Sequence, residues 1–477
     1  MLFNSYQFAV FFLLVTAVYY VVSHRVRWIW LLLASCYFYM VFVPKYIFIL
    51  FFLILVDYGA ALLIERSSRR VRKFVLIVSL VSNVGMLALF KYLNFSYGQL
   101  MGLVSCLGGK PHPFYLNLVL PIGLSFHTFQ SMSYTIEVYR GHHRAERHLG
   151  IYALYVLFYP QLVAGPIERP GNLLPQLRTP VAFEYDRVTA GFKLMLWGLF
   201  KKMVIADNLA MIVGPAYADP EQHSGWPLIA ATYAFALQIF CDFSGYSDIA
   251  RGAARVMGIE LMRNFDLPYY ASSIGEFWKR WHISLSTWFR DYAYIPLGGN
   301  RAGQNRTLVN ILIVFLLSGL WHGANLAFIF WGGLHGLYLV TGILSKPWRD
   351  KASEATGLAA HPGLRRLAGR VVTFHLVCFG WIFFRAGSLP NAFEVLKHLF
   401  VFRTPPLAAI KGIGLFEFSG VVLGLVIMWL VHCLQRRNRL GRFSEALPIL
   451  ARWTIYAAGC CFIILWGQFN SQEFIYF

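Results

Sequence analysis

The sequence predicts an all-α protein that crosses a membrane many times, and three observations carry this prediction. Of the 477 residues, 58% are hydrophobic and only 13% are charged. A soluble chain of this length needs more charged residues to cover its surface. In addition, apolar stretches of about 20 residues, the length of a membrane-spanning helix, recur from end to end. These features exclude an ordinary soluble enzyme.

Spanning helices are predicted wherever the chain holds a long apolar stretch. The stretches lie at residues 6–22, 27–43, 46–64, 74–92, 114–139, 188–213, 227–245, 307–321, 326–344, 370–386, 415–434 and 451–468. Because such stretches can cross the hydrocarbon core as helices, we expect about 11–12 transmembrane helices. The sequence contains no internal repeat and no linker rich in serine or proline, which favours one membrane domain over residues 1–477.

One apolar segment departs from this pattern because prolines interrupt it. Residues 151–166 (IYALYVLFYPQLVAGP) contain Pro160 and Pro166 and are too short for a plain span. Irregular backbone at membrane depth has to be buried against protein. We therefore expect this segment to be re-entrant.

The excess of basic residues indicates an orientation in the membrane rather than a nucleic-acid partner. The formal net charge is +20, and Lys and Arg collect in cytoplasmic loops. The sequence has no basic stretch interleaved with aromatic residues of the kind that stacks bases. The loops expected inside are 65–73, 140–150, 251–306, 345–369 and 435–445. The acidic loop 214–226 and both termini are then outside.

Two polar motifs stand out near the predicted cytoplasmic side. Residues 242–248 (DFSGYSD) place two carboxylates at the end of a span, and residues 276–291 (EFWKRWHISLSTWFRD) combine tryptophans, cationic residues and His282. This mixture is typical of an amphipathic helix at the membrane interface. It also suits an anionic, phosphate-bearing ligand, because Arg and Lys pair with phosphate. The two interpretations are compatible.

A single imidazole interrupts the apolar run 311–331, and it is the leading candidate for chemistry. An ionisable group at membrane depth is costly, so His322 is a functional candidate by default. Gly319 and Gly323 have the spacing that lets another helix approach closely. Asn325, one turn further on, is placed to orient the imidazole ring. Histidine is also the commonest general base near neutral pH.

Other interpretations of these histidines remain open from residue chemistry alone. His322 would have only a structural role if a neighbouring carbonyl satisfies it, or if it lies at the membrane edge. His335, beside Gly336, is a competing candidate, and His127 is a weaker one. Without further information the chain is a polytopic membrane enzyme or a transporter.

The order and spacing of several short motifs resemble the membrane-bound O-acyltransferase family, in particular the bacterial subgroup of the alginate O-acetylation membrane protein. The resemblance covers nearly the whole chain. The motifs are residues 2–5 (LFNS), 90–95 (FKYLNF), 120–126 (LPIGLSF), 164–167 (AGPI), 242–248 (DFSGYSD), 277–288 (FWKRWHISLSTW), 297–301 (LGGNR) and 319–325 (GLWHGAN).

The resemblance implies an irregular helical bundle around a central channel, with N-terminal spans in 1–139, a catalytic core region in 140–345, and C-terminal spans and a tail in 346–477. It implies that His322 is the essential histidine and that His282 is a second functional residue. In this interpretation His322 acts as general base on a hydroxyl, while Trp321 excludes water and Asn325 is a candidate oxyanion donor.

The resemblance further implies acetyl-CoA as donor substrate, no bound cofactor and no metal. The donor's phosphates are expected near Lys279, Arg280, Arg290 and Arg301, although Arg301 is equally well interpreted as a positive-inside anchor. Tyr476 resembles a terminal tyrosine implicated elsewhere as an acyl relay; an aromatic membrane anchor is the alternative. We expect a bacterial inner-membrane location and a periplasmic partner transferase of the SGNH type or another polysaccharide acetylation protein.

Two alternative functions stay open at this point. The same fold could transfer a different acyl group, such as D-alanine from an acidic carrier protein. A transporter or polysaccharide channel without acyl chemistry is the alternative from another class. Transporters often concentrate charges and broken helices at the midplane around internal repeats, whereas this sequence keeps its carboxylates near the predicted inner face.

Overall fold

The computed structural model is helical, and it describes residues 1–110, 120–406, 408, 412–437 and 446–469. No strand occurs in these ranges, which confirms the predicted all-α class. The α-helices are α1 (Tyr6–Val21), α2 (His24–Met40), α3 (Ile47–Arg66), α4 (Arg69–Leu87), α5 (Leu93–Cys106), α6 (Leu124–Arg140), α7 (Leu149–Leu157), α8 (Pro170–Arg178), α9 (Tyr185–Leu199), α10 (Asp207–Ala218), α11 (Trp226–Val256), α12 (Ile274–Arg280), α13 (Ile283–Phe289), α14 (Gln304–His322), α15 (Leu326–Leu344), α16 (Lys346–Ala355), α17 (Pro362–Arg385), α18 (Leu389–Leu399), α19 (Leu415–Arg436) and α20 (Ile449–Trp466).

Within the described ranges, eight helical segments are long and apolar enough to span a membrane. They are Pro44–Arg66, Arg69–Cys106, Trp226–Val256, Gln304–His322, Leu326–Leu344, Pro362–Arg385, Leu415–Arg436 and Ile449–Trp466. Helix α1 is apolar but shorter. Helices α2 and α6 and the α9–α10 segment lie in the remaining predicted stretches, of which residues 114–119 are outside the described residues. The protein is therefore a multi-pass membrane protein, as predicted.

The described residues form two compact units. Unit 1 contains Met1–Lys193 and Ala250–Met262, and unit 2 contains Leu194–Ile249 and the described residues from Arg263 onward. The single membrane domain over residues 1–477 stays a prediction.

Buried polar contacts tie the spans of unit 1 together. The carboxylate of Asp57, on α3, accepts hydrogen bonds from Ser79 Oγ at 2.6 Å and from Asn83 Nδ2 at 2.9 Å, both on α4. A buried polar group without a partner would cost several kcal/mol in an apolar medium, on the order of 2–7. These bonds therefore fix how α4 packs on α3.

The proline-interrupted segment of unit 1 is broken and buried. Helix α7 ends at Leu157, and non-helical backbone follows before α8 begins at Pro170. Residues 151–168 are all buried. The break is as predicted, because proline cannot continue a helix ladder. Whether the segment is re-entrant stays a prediction.

In unit 2, two buried lysines hold α11 against the π-helical turn that links α9 and α10. Lys201 Nζ lies 2.7 Å from Asp248 of α11. Lys202 Nζ lies 2.5 Å from Asp242 of α11 and 2.8 Å from Asp207. Because each lysine has a carboxylate partner, these charges can be buried.

Helices α14 and α15 form a tight antiparallel hairpin in unit 2, and small residues allow its close packing. A Cβ on Gly319 would lie 2.3 Å from the Phe328 carbonyl oxygen, and a Cβ on Gly332 would lie 3.0 Å from Gly319 Cα. The predicted close helix approach at Gly319 is thus confirmed. The hairpin carries His322 at its turn.

Candidate active site

His322 is the last residue of α14, and the turn that follows is fixed by Asn325. The Asn325 side-chain oxygen caps α15 by accepting a hydrogen bond from the Ala327 amide at 2.9 Å. Its amide nitrogen donates to the carbonyl oxygen of Gly387. Asn325 therefore sets the turn that presents His322, which is half-buried. Its roles in orienting the ring and as an oxyanion donor stay predictions.

His282 lies between the short helices α12 and α13 in an unusual backbone conformation. Its φ is 43°, in the left-handed region that residues other than glycine rarely adopt. The side chain is 1% exposed. Burial lowers the pKa of His282 to about 3, so the imidazole is neutral at physiological pH.

Asn264 holds this histidine turn in place. The Asn264 side-chain oxygen accepts hydrogen bonds from the Ser284 amide at 3.2 Å and from Ser284 Oγ at 2.8 Å. Its backbone carbonyl accepts from the Ile283 amide at 2.9 Å. The same side-chain oxygen lies 3.3 Å from His282 Nδ1. An acceptor there selects the tautomer with the proton on Nδ1, which leaves Nε2 as the acceptor of the ring.

Trp321 joins the two predicted catalytic histidines within one aromatic cluster. Its ring centroid lies 6.2 Å from that of His282 and 4.8 Å from that of His322. Trp331 and Phe384 also lie beside His322, with centroid distances of 5.0 and 5.3 Å. The exclusion of water from His322 by Trp321 stays a prediction.

A match to a known protein family identifies the class of protein that carries this arrangement. The profile described as "MBOAT, membrane-bound O-acyltransferase family" matches residues 16–361. The chain belongs to that family. It is therefore an O-acyltransferase, and the predicted resemblance is confirmed.

Curated relatives agree with this assignment. The "Probable alginate O-acetylase AlgI" of Pseudomonas aeruginosa is 38% identical over 440 residues, covering 90% of this chain and 80% of that protein. The "Peptidoglycan O-acetyltransferase" of Helicobacter pylori is 34% identical over 396 residues, covering 77% and 73%. The "Teichoic acid D-alanyltransferase" of Bacillus subtilis is 29% identical over 286 residues, covering 58% and 71%.

The competing histidines occupy different surroundings in the acyltransferase. His335 is fully buried in unit 2, and its Nδ1 accepts a hydrogen bond from Trp278 Nε1 at 3.3 Å. Its ring lies 5.1 Å from that of Trp331, so it belongs to the edge of the same cluster. His127 is buried in unit 1, with its ring 6.4 Å from that of Tyr39.

Of the four predicted donor-binding cations, Arg280 lines a polar cavity in the described part of unit 2. Arg280 lies 2.8 Å from Glu276 and forms part of a polar cavity wall. Lys279, Arg290 and Arg301 are exposed and line none of these cavities. Their roles in binding the donor, and the acyl relay at Tyr476, stay predictions; Tyr476 lies outside the described residues.

Sequence reasoning missed the residues that position the site from elsewhere in the chain. Asn264 lies 18 positions before His282, and no local pattern couples an asparagine to a histidine at that distance. Trp331 and Phe384 appeared only as members of apolar spans. Their side chains acquire a role only when α14, α15 and α17 pack together.

Proposed function

We propose that this O-acyltransferase takes acetyl groups from cytoplasmic acetyl-CoA and passes them across the inner membrane for O-acetylation of an alginate-like exopolysaccharide, with a periplasmic partner transferase. The observation that carries the proposal is the aromatic cluster in which Trp321 contacts both His282 and His322. The similarity to an alginate O-acetylase and to a peptidoglycan O-acetyltransferase supports acetyl as the transferred group.

In the proposed reaction, His322 acts as general base. It removes the proton from an acceptor hydroxyl as the oxygen attacks the thioester carbonyl carbon. The tetrahedral intermediate then collapses, the carbon–sulfur bond breaks, and the imidazolium returns the proton to the thiolate of coenzyme A. General base catalysis of this kind contributes about 10²–10⁴-fold to the rate. His282, kept neutral by burial, supplies a second imidazole next to Trp321.

Trp331 is a second candidate for stabilising the oxyanion, besides Asn325. Among the described residues the buried Trp331 indole N–H has no hydrogen-bond acceptor, and its ring lies 5.0 Å from that of His322. The Asn325 amide already donates to Gly387. An indole N–H held in an apolar site needs no reorganisation to meet a developing negative charge.

A D-alanyl group from a carrier protein is the second candidate, favoured by the 29% identity to the teichoic acid D-alanyltransferase. Purified protein is incubated with radiolabelled acetyl-CoA and, separately, with carrier protein loaded with labelled D-alanine. We expect release of coenzyme A from acetyl-CoA and loss of that release in His322→Ala. Turnover of the carrier thioester alone would identify the D-alanyl function. No turnover of either donor, with polymer flux intact, would identify a channel.

We further propose that Tyr476 carries the acetyl group between the membrane protein and its partner. The acetyl group would be bound to the phenol oxygen as an ester. Replacing Tyr476 with Phe should then abolish acetyl labelling of the protein and leave membrane insertion intact. Labelling retained in Tyr476→Phe would rule out the relay.

A further inference from the structure

Unit 2 contains a polar cavity of about 760 Å³ that is separate from the aromatic cluster. Its wall carries arginines from three segments of the chain, namely Arg263, Arg280, Arg366, Arg370 and Arg436. Two carboxylates, those of Asp266 and Glu276, line the same space. The volume lies within the range of small-molecule sites, about 300–1,000 Å³.

The carboxylates neutralise only part of this charge. Asp266 lies 2.9 Å from Arg263, and Glu276 lies 2.8 Å from Arg280. Burial alone would raise the pKa of Glu276, but hydrogen bonds from Ser272 and the nearby Arg280 guanidinium outweigh burial and lower this pKa below its ordinary value. Glu276 therefore stays ionised and holds Arg280 in place.

The other three arginines have no carboxylate partner within the part of the chain that the structure describes. Arg366 donates to the carbonyl of Pro362, and Arg370 donates to the carbonyl of Tyr270 at 3.1 Å. The guanidinium of Arg436 lies over the Tyr270 ring, 4.6 Å from its centroid. Backbone and ring contacts position these guanidinium groups without neutralising their charge.

The cavity is formed by the segments that the charge pattern assigns to the cytoplasmic side. Its wall residues fall in the loop 251–306, in the N-terminal part of α17, which begins within the loop 345–369, and where α19 meets the loop 435–445. A soluble cytoplasmic ligand would therefore reach it directly.

One of the three segments that line the cavity, residues 263–280, also holds His282. Arg263 and Asp266 flank Asn264, whose side-chain oxygen lies 3.3 Å from His282 Nδ1. Glu276 and Arg280 belong to α12, which ends two residues before His282. A ligand bound in the cavity therefore contacts the segment that holds one predicted catalytic histidine.

We propose that this cavity binds phosphate groups, and specifically the phosphates of the coenzyme A moiety of the acyl donor. This inference rests on the proposed function. Arginine suits this ligand, because its planar guanidinium makes paired hydrogen bonds to phosphate oxygens. The three positive charges that have no carboxylate partner among the described residues match the several negative charges of the nucleotide. The headgroup of an anionic lipid shares this chemistry and is the competing occupant.

The test measures binding of radiolabelled coenzyme A to the full-length protein in nanodiscs of phosphatidylcholine, which has no net charge. The variants are Arg366→Gln and Arg370→Gln. The matched control is Arg365→Gln, which removes the same charge from the same turn of α17 but pairs with Asp350 and does not line the cavity. We expect Kd to rise roughly tenfold or more in each cavity variant, and to stay within about twofold in the control.

The outcomes separate the two occupants. Equal Kd values in wild type and all three variants overturn the proposal. A second result overturns the assignment to the donor and identifies a lipid headgroup instead. In that result, wild type does not bind coenzyme A but retains phosphatidylglycerol, and both Arg366→Gln and Arg370→Gln lose this lipid. Thermal unfolding of each variant, compared with wild type, checks that the fold is intact.

Failure of this inference and failure of the proposed function give different results. If the cavity variants weaken binding of coenzyme A but the wild type transfers no acetyl group, the proposed function is contradicted and the phosphate site is supported. Acetyl transfer with an unchanged KM for acetyl-CoA in both cavity variants overturns the site alone. If the proposed function and the phosphate site are both correct, the KM for acetyl-CoA rises in the cavity variants while kcat is retained, because the phosphates lie away from the reacting atoms.

Discussion

His282 is held in a left-handed backbone conformation, with φ at 43°, which costs about 1–2 kcal/mol for a residue other than glycine. Asn264 makes this possible, because it accepts hydrogen bonds from both backbone and side chains of residues 282–284. Strain of this kind persists only where the surroundings over-determine it, and it is common at functional sites. Asn264 is therefore a positioning residue for the neutral imidazole.

Replacing Asn264 with Ala should lower kcat about tenfold or more and leave the KM for acetyl-CoA within about twofold, because orientation of His282 is lost while the donor cavity is kept. Steady-state kinetics of coenzyme A release measure both constants. The control is Asn172→Ala, which removes a partly buried asparagine bond to Glu168 in unit 1. A kcat unchanged in Asn264→Ala would show that the contact is only structural.

The depressed pKa of His282 also predicts how stability depends on pH. The unfolded chain binds a proton at the ordinary histidine pKa of 6.5, whereas the folded protein binds it only near pH 3. The unfolded state therefore binds more protons between these values, and folding stability falls as pH drops below 6.5, by up to about 1.4 kcal/mol per pH unit.

The variant His282→Asn lacks the titrating imidazole and therefore its contribution to the pH dependence of folding stability. Asparagine also tolerates the left-handed backbone at this position. Its thermal unfolding temperature should therefore fall less than that of wild type when pH is lowered from 7.5 to 4.5. Parallel pH curves for the two proteins would contradict the neutral, buried state of His282.

At the scale of helices, α14 and α15 depend on a backbone contact that any side chain at Gly319 would break. A Cβ there meets the Phe328 carbonyl oxygen at 2.3 Å, whereas a Cβ at Gly342 on α15 meets nothing within 4 Å. Gly319→Ala should destabilise the protein by about 1–3 kcal/mol, as overpacking does. Gly342→Ala should be neutral or stabilising by about 0.4–1 kcal/mol. Thermal unfolding of the two variants measures the difference, and equal stabilities would contradict this packing.

The helices show what an apolar pattern can and cannot predict. The ends of α15 were predicted correctly, because apolar residues fill it from end to end. Helix α11 runs to Val256, 11 residues beyond the predicted end at 245. The polar residues 242–248 suggested an end of the span, but Lys201 and Lys202 pair with Asp248 and Asp242 and let the helix continue. Such pairing joins distant segments and cannot be deduced from local hydropathy.

As with the helices, the sequence predicted part of the candidate site and missed the residues that converge from distant segments. His322 was identified as an imidazole within an apolar run, and both histidines through the resemblance of their motifs. Arg263, Arg366 and Arg436 lay in loops interpreted only by the positive-inside pattern, and Arg370 was the first residue of the predicted span 370–386. Their convergence depends on how α12, α17 and α19 pack, which composition does not specify.

At the scale of the whole molecule, the charge pattern predicts which loops face the cytoplasm. In a variant whose seven native cysteines are replaced by serine, a single cysteine is placed at Asp219 or at Lys351. A membrane-impermeant maleimide applied from outside should label Asp219→Cys, in the loop predicted outside, and not Lys351→Cys until the membrane is opened. The reverse pattern would invert the orientation and place the arginine cavity out of reach of a cytoplasmic donor.

The central claim is that His322 performs the chemistry of acyl transfer. Its most direct test is kcat for coenzyme A release from acetyl-CoA by His322→Gln, with His375→Gln as control, because His375 is exposed and bonds to the Val371 carbonyl of its own helix. We predict that kcat falls about 10²–10⁴-fold in His322→Gln, with KM unchanged, and stays at the wild-type value in the control. A kcat for His322→Gln within about threefold of wild type would contradict the account.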